Sequence, residues 1–176
     1  MLRTCGLPLS LFPERERLAC SLSSIVRSRV GGLFAMAPLD EIDFDDLLRR
    51  VRMMRQHLAC CAIQTYLNGW TTAGRMHSDG TGCIFGCAGC PDALLHYLFC
   101  PSFNFALGAA WGPHPPGEAF DDAISRIGLS PAVPQRAAAM FLLYHSSRAA
   151  LGRLTPPRLL ELARAAVREA RIGMSN

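Results

Sequence analysis

The chain has 176 residues, 50% of them hydrophobic and 18% charged, a length that fits one compact domain or a small domain with extensions and a balance that excludes a chain disordered throughout. All 18 basic residues are arginine, against 14 acidic ones, for a formal net charge of +4. Arginine suits phosphate contacts, but so small an excess, with carboxylates interspersed, does not make a nucleic-acid footprint by itself.

Residues 1–37 mix serine, arginine, glycine and proline without a sustained period and close on Gly31-Gly32 and Pro38, which predicts a loosely ordered leader. Its first thirteen residues are too short and irregular an apolar run to read as a signal sequence. From Asp40 the apolar residues Ile42, Phe44, Leu47, Leu48, Val51, Met54, Leu58, Cys61, Ile63 and Leu67 approximate a helical stripe that Asn68-Gly69 stops, so one long helix is expected here. Asp40, Glu41, Asp43, Asp45 and Asp46 open it and Arg49, Arg50, Arg52 and Arg55 follow, the order expected of a solvated face whose charges pair one turn apart.

Gly69 to Gly89 reads as loop. Ala93 to Phe99 then reads as a short helix halted at Cys100-Pro101, because proline disfavours helical geometry in the residue before it. After a Gly/Pro-rich connector from Gly108 to Gly117, helices are expected over Glu118–Ile127, Gln135–Leu151 and Pro157–Ile172, the last capped by Thr155 with Pro156 at its start. The expected fold is therefore mainly α: a long helix, a small Cys3His zinc knuckle with a short helix, and a helical carboxy-terminal region. The corresponding divisions are 1–37 (leader), 38–107 (helix plus zinc-binding module) and 108–176 (helical region). The longest apolar run, Ala137 to Tyr144, falls far below the roughly 20 residues that span a bilayer, so no membrane partner is expected.

Of the eight cysteines, Cys83, Cys87, Cys90 and Cys100 crowd one short stretch, unlike the spread of a secreted disulfide scaffold. An intracellular, reducing compartment is expected. Cys83 and Cys87 enclose three residues including Gly86, which permits a tight turn, and His96 and Cys100 are four apart, one turn of a helix. Four such ligands make a closed tetrahedral set, and closed sites are structural, so one structural Zn2+ is expected, with the local fold dependent on it. Cys87 and Cys90 form an equally acceptable pair with His96 and Cys100.

Asn68-Gly69-Trp70-Thr71-Thr72-Ala73-Gly74-Arg75-Met76, followed by the Cys/His cluster and His96-Tyr97-Leu98-Phe99-Cys100-Pro101, resembles the zinc-binding region that follows the reverse transcriptase domain in non-LTR retrotransposon polyproteins. Cys83, Cys87, His96 and Cys100 match its ligand pattern, which favours Cys83 over Cys90. The resemblance implies a non-catalytic zinc module that helps hold single-stranded RNA or DNA, alongside a polymerase domain in a longer homologue and in a nuclear setting. It departs from the family upstream, where nothing is long enough for polymerase fingers and palm, and Asp45-Asp46 and Asp121-Asp122 read as helix-surface acids.

Trp70 and Arg75, with His77, are the candidates for gripping a strand by stacking and phosphate contact, while Trp70 also reads as a residue closing the small core. His57, Cys60 and Cys61 read as helix packing rather than a nucleophile with its base. No H-x-E with P-C-x-x-C, H-E-x-x-H, P-loop or dinucleotide fingerprint occurs, so no enzyme activity is expected. The alternative expectation is a zinc-stabilised protein-interaction module or an inactive retroelement remnant.

Overall fold

The structure is a computed structural model that describes residues 15–33, 39–73, 75–76, 82–112, 126–129 and 134–172. Among these it is mainly helical, as expected, with α1 (Arg15–Leu33), α2 (Phe44–Met53), α3 (Gln56–Tyr66), α4 (Leu94–Phe99), α5 (Pro101–Trp111), α6 (Gln135–Ala149) and α7 (Pro156–Ile172). The expected helix over Glu118–Ile127 lies largely outside the described residues.

Helix α2 begins at Phe44, later than the expected start at Asp40, behind a short 3-10 turn at Leu39–Glu41. Asp43 caps it, its Oδ1 accepting the Asp46 N–H at 2.9 Å, and Asp46 pairs with Arg49 and Arg50 at 2.8 and 3.0 Å. Phe44, Leu47, Leu48 and Val51 form its buried stripe.

Two expectations are corrected. The single long helix is broken: Met54 and Arg55 are extended, with ψ of 158° and 141°. The apolar stripe continues in phase through Met54 into Leu58, Ala62 and Tyr66, so periodicity carries no trace of the turn. The second correction concerns the leader, where Arg15–Leu33 is helical and buries Val26 and Val30. Its inward face needs few apolar residues because it docks chiefly on the neighbouring α2, with Arg27 over the Phe44 ring at 4.9 Å and on Asp40 at 3.3 Å.

The connector expected from Gly108 also begins late, since α5 runs from Pro101 through Trp111 to a glycine cap at Gly112. Helix α6 is central: α3 packs along one side of it and α7 along another, and α7 in turn packs on α5. That position explains why α6 is buried on more than one face, at Ala137, Ala138, Ala139, Met140, Leu143 and Tyr144. One apolar cluster runs from Val26 to Ala170. Thr155 caps α7 as expected, its Oγ1 accepting the Arg158 N–H at 3.4 Å. No helix of the described residues is long and apolar enough to cross a membrane.

Candidate metal centre

Two glycine turns build the loop that carries the first pair of cysteines. The Cys83 carbonyl accepts the Gly86 N–H at 3.1 Å, and the Cys83 N–H donates to the Cys90 carbonyl at 2.8 Å. Gly86 and Gly89 sit at φ of 84° and 68°, the left-handed region where a Cβ is disfavoured. An antiparallel bridge between Gly82 and Pro91 closes the loop. Cys83 and Cys87 are thereby held on a short, tightly turned hairpin, and the Phe85 N–H reaches the Cys83 sulfur at 3.4 Å.

The second pair comes from α4 and its end. His96 lies in α4, and Cys100 is extended between α4 and α5, at φ −63° and ψ 118°, because Pro101 excludes helical geometry there and then opens α5 from its first position. The carbonyls left over at the end of α4 need donors. Asn104 supplies them, its Nδ2 donating to the carbonyls of Tyr97, Leu98 and Cys100 at 3.1, 3.0 and 2.9 Å, and Arg126 adds a bond to Leu98 at 3.1 Å.

These elements bring Cys83, Cys87, His96 and Cys100 together, with one ligand atom from each and all four atoms within 4.8 Å of one another. The Cys100 sulfur lies 3.8 Å from that of Cys83 and 3.6 Å from that of Cys87. A disulfide would hold sulfurs at about 2.05 Å, whereas a tetrahedron with metal–sulfur bonds of about 2.3 Å has edges of about 3.8 Å. The histidine fits as well, since its Nε2 is buried without a hydrogen-bond partner, an arrangement that costs free energy unless something accepts or coordinates there. The donor set can hold one metal ion.

The electrostatics agree. Burial pushes the Cys100 thiol up to about 12, against the opposing effect of the Phe103 backbone, and Cys87 also moves up, chiefly by burial. Burial lowers the His96 pKa. A metal dication would offset the repulsion between neighbouring thiolates at this spacing. Cys90 stands outside the converging four and contributes its backbone carbonyl.

Of the three residues expected to hold nucleic acid, the structure describes Trp70 and Arg75, and it buries the first and exposes the second. Trp70 is 0% exposed, stacked on Tyr144 at 4.8 Å and Tyr97 at 6.0 Å, with its indole N–H donated to Thr65 Oγ1 at 3.0 Å. Of its two expected roles this matches the closing of the core, because a buried ring offers no face to a base. Arg75 is exposed and its guanidinium donates to the Asn68 carbonyl. His77 lies outside the described residues. Cys60 is exposed and Cys61 half-buried, its thiol pushed up to about 11 by burial, and His57 pairs with Glu169 at 3.0 Å.

Sequence reasoning missed the residues that anchor the loop to the helical core. The Asp92 side chain is 0% exposed and accepts from the Ala73 N–H at 2.7 Å, from Arg148 Nη1 at 2.9 Å, from the Tyr144 hydroxyl at 3.0 Å and from the Tyr97 hydroxyl. Nothing local announces this, since Asp92 precedes α4 where an acidic cap would sit and its partners on α6 are more than fifty residues away.

No protein-family model matches the chain, and neither does any curated protein or any solved structure.

Proposed function

We propose that the chain is a non-catalytic module in which Cys83, Cys87, His96 and Cys100 hold one structural zinc ion, and that it assists the binding of single-stranded RNA or DNA. The observation that carries the reading is the convergence of four ligand atoms within 4.8 Å. Three thiolates and an imidazole select zinc among the common divalent ions, and a set of four protein ligands leaves no position for water or substrate. The ion's contribution is a cross-link between the glycine-turned loop and the start of α5.

The nucleic-acid part rests on the arginine-only basic complement, on exposed Arg75 close in sequence to the knuckle, and on the retroelement resemblance. With Trp70 in the core, phosphate contact rather than base stacking carries it. Zinc-loaded protein should therefore bind single-stranded oligonucleotides with little base preference, and affinity should fall steeply between about 50 and 200 mM salt. Titration with fluorescent RNA and DNA checks this, and failure of both at low salt removes the nucleic-acid part.

One observation favours a second reading, a zinc-stabilised protein-interaction module. A groove of about 870 Å³ beside the knuckle is lined by Ile84, Phe85, Phe105, Leu154, Leu159 and Leu160, and Phe105 is 76% exposed. The same titration separates the readings, because Phe105→Asp leaves nucleic-acid affinity unchanged under the first.

A further inference from the structure

The zinc-ligand loop has little apolar surface with which to hold itself to the helices. Gly82, Gly86, Ala88, Gly89 and Pro91 are exposed, and Phe85 is the main apolar anchor, packed on Tyr97 and Phe103 at centroid distances of 5.4 and 5.3 Å. The loop also packs on the core through Cys83 and Ile84, and polar groups join it there that touch the neighbours of two ligands.

The Ile84 N–H, next to Cys83, donates to the Tyr97 hydroxyl at 3.4 Å, and Tyr97, next to His96, donates to Asp92. From the far side Asp92 is met by Tyr144 and Arg148 of α6, which also bond to each other at 2.7 Å. The carboxylate therefore stands between the metal loop and the central helix.

We infer that this Asp92–Tyr97–Tyr144–Arg148 network couples occupation of the metal site to the packing of α6, so that the helical core as well as the knuckle depends on the ion. The inference rests on the zinc reading. Were the loop to open on metal loss, Asp92 would leave with it. The two tyrosine hydroxyls would then lose their acceptor inside the core and Arg148 would lose its counter-charge, a loss much larger than the net worth of the bonds themselves. The Trp70 stack on Tyr97 and Tyr144 lies directly over the same groups and would loosen with them.

The test is hydrogen exchange on the full chain, zinc-loaded and after chelation under reducing conditions, in the native protein and in Asp92→Asn, with Tyr144→Phe as the milder variant in case the first does not fold. In the native chain, chelation should speed exchange at residues 82–100 and also in α6, there by about tenfold or more. In the variants the knuckle should still respond to zinc while the α6 response falls to about threefold or less. Acceleration confined to residues 82–100 would overturn the coupling and leave the zinc reading standing. An α6 response of equal size in native and variant chains would assign the coupling elsewhere and overturn the role of the network. Absence of bound zinc at the outset would overturn both.

Discussion

Asn104 is a single amide whose Nδ2 lies within hydrogen-bond distance of three backbone carbonyls around the end of α4 and shares its two hydrogens among them, and one of them belongs to the candidate ligand Cys100. Asn104→Ala should remove the side-chain donor of the Tyr97 carbonyl, while Leu98 keeps Arg126 and Cys100 keeps the backbone N–H of residue 104, and lower stability by about 1–3 kcal/mol, measured by urea unfolding of zinc-loaded protein. Asn104→Asp should be worse, since it replaces a donor by an acceptor facing carbonyls. Of the converging four, Cys87, His96 and Cys100 were legible from residue type and spacing, because a metal site needs particular atoms at particular intervals, whereas spacing left Cys83 and Cys90 equally acceptable and the resemblance favoured Cys83. Trp70 was not legible in the same way: an indole beside a knuckle serves a base or a core equally well, and only the position of Thr65, Tyr97 and Tyr144 around it decides. Asp92 was harder still, since its meaning comes from α6.

At the level of elements, punctuation was read more accurately than continuity. Pro101, Gly152 and Thr155-Pro156 marked real boundaries, each through a local conformational constraint. Gly152 sits at φ 89° beyond α6 with open space around its Cα, so Gly152→Ala meets no neighbour and should cost only the backbone strain, about 1–2 kcal/mol, as a lower thermal midpoint with unchanged zinc content. The break at Met54-Arg55 was invisible because it contains neither glycine nor proline and preserves the apolar phase. What imposes it is tertiary: α3 has to lie along α6, and extended Met54 still buries its side chain. Helix α1 escaped for a related reason, in that docking on its neighbour α2 requires few inward apolar residues and so no strong period.

For the whole molecule, the mainly helical class followed from helical periodicity and from turn signals such as Pro101 and Gly152, but the arrangement did not. A single apolar cluster joins α1 through α7 and takes in Cys83, Leu94, Tyr97, Leu98 and Cys100 of the knuckle, with Ile84 and Phe85 packed against it, and buried Asp92 adds a polar tie to α6. On the proposed zinc reading the ion is a condition of the fold, since burial of the four residues without an ion leaves close thiols and an unpartnered imidazole nitrogen. The most direct test is the metal content of purified protein, by mass spectrometry, for the native chain and for Cys83→Ser, Cys87→Ser, Cys90→Ser, His96→Ala and Cys100→Ser. The account predicts one zinc per native chain, retained in Cys90→Ser and lost or sharply reduced in the other four. A native chain without zinc, prepared reduced and free of chelator, would contradict it, as would loss of zinc in Cys90→Ser with retention in Cys83→Ser.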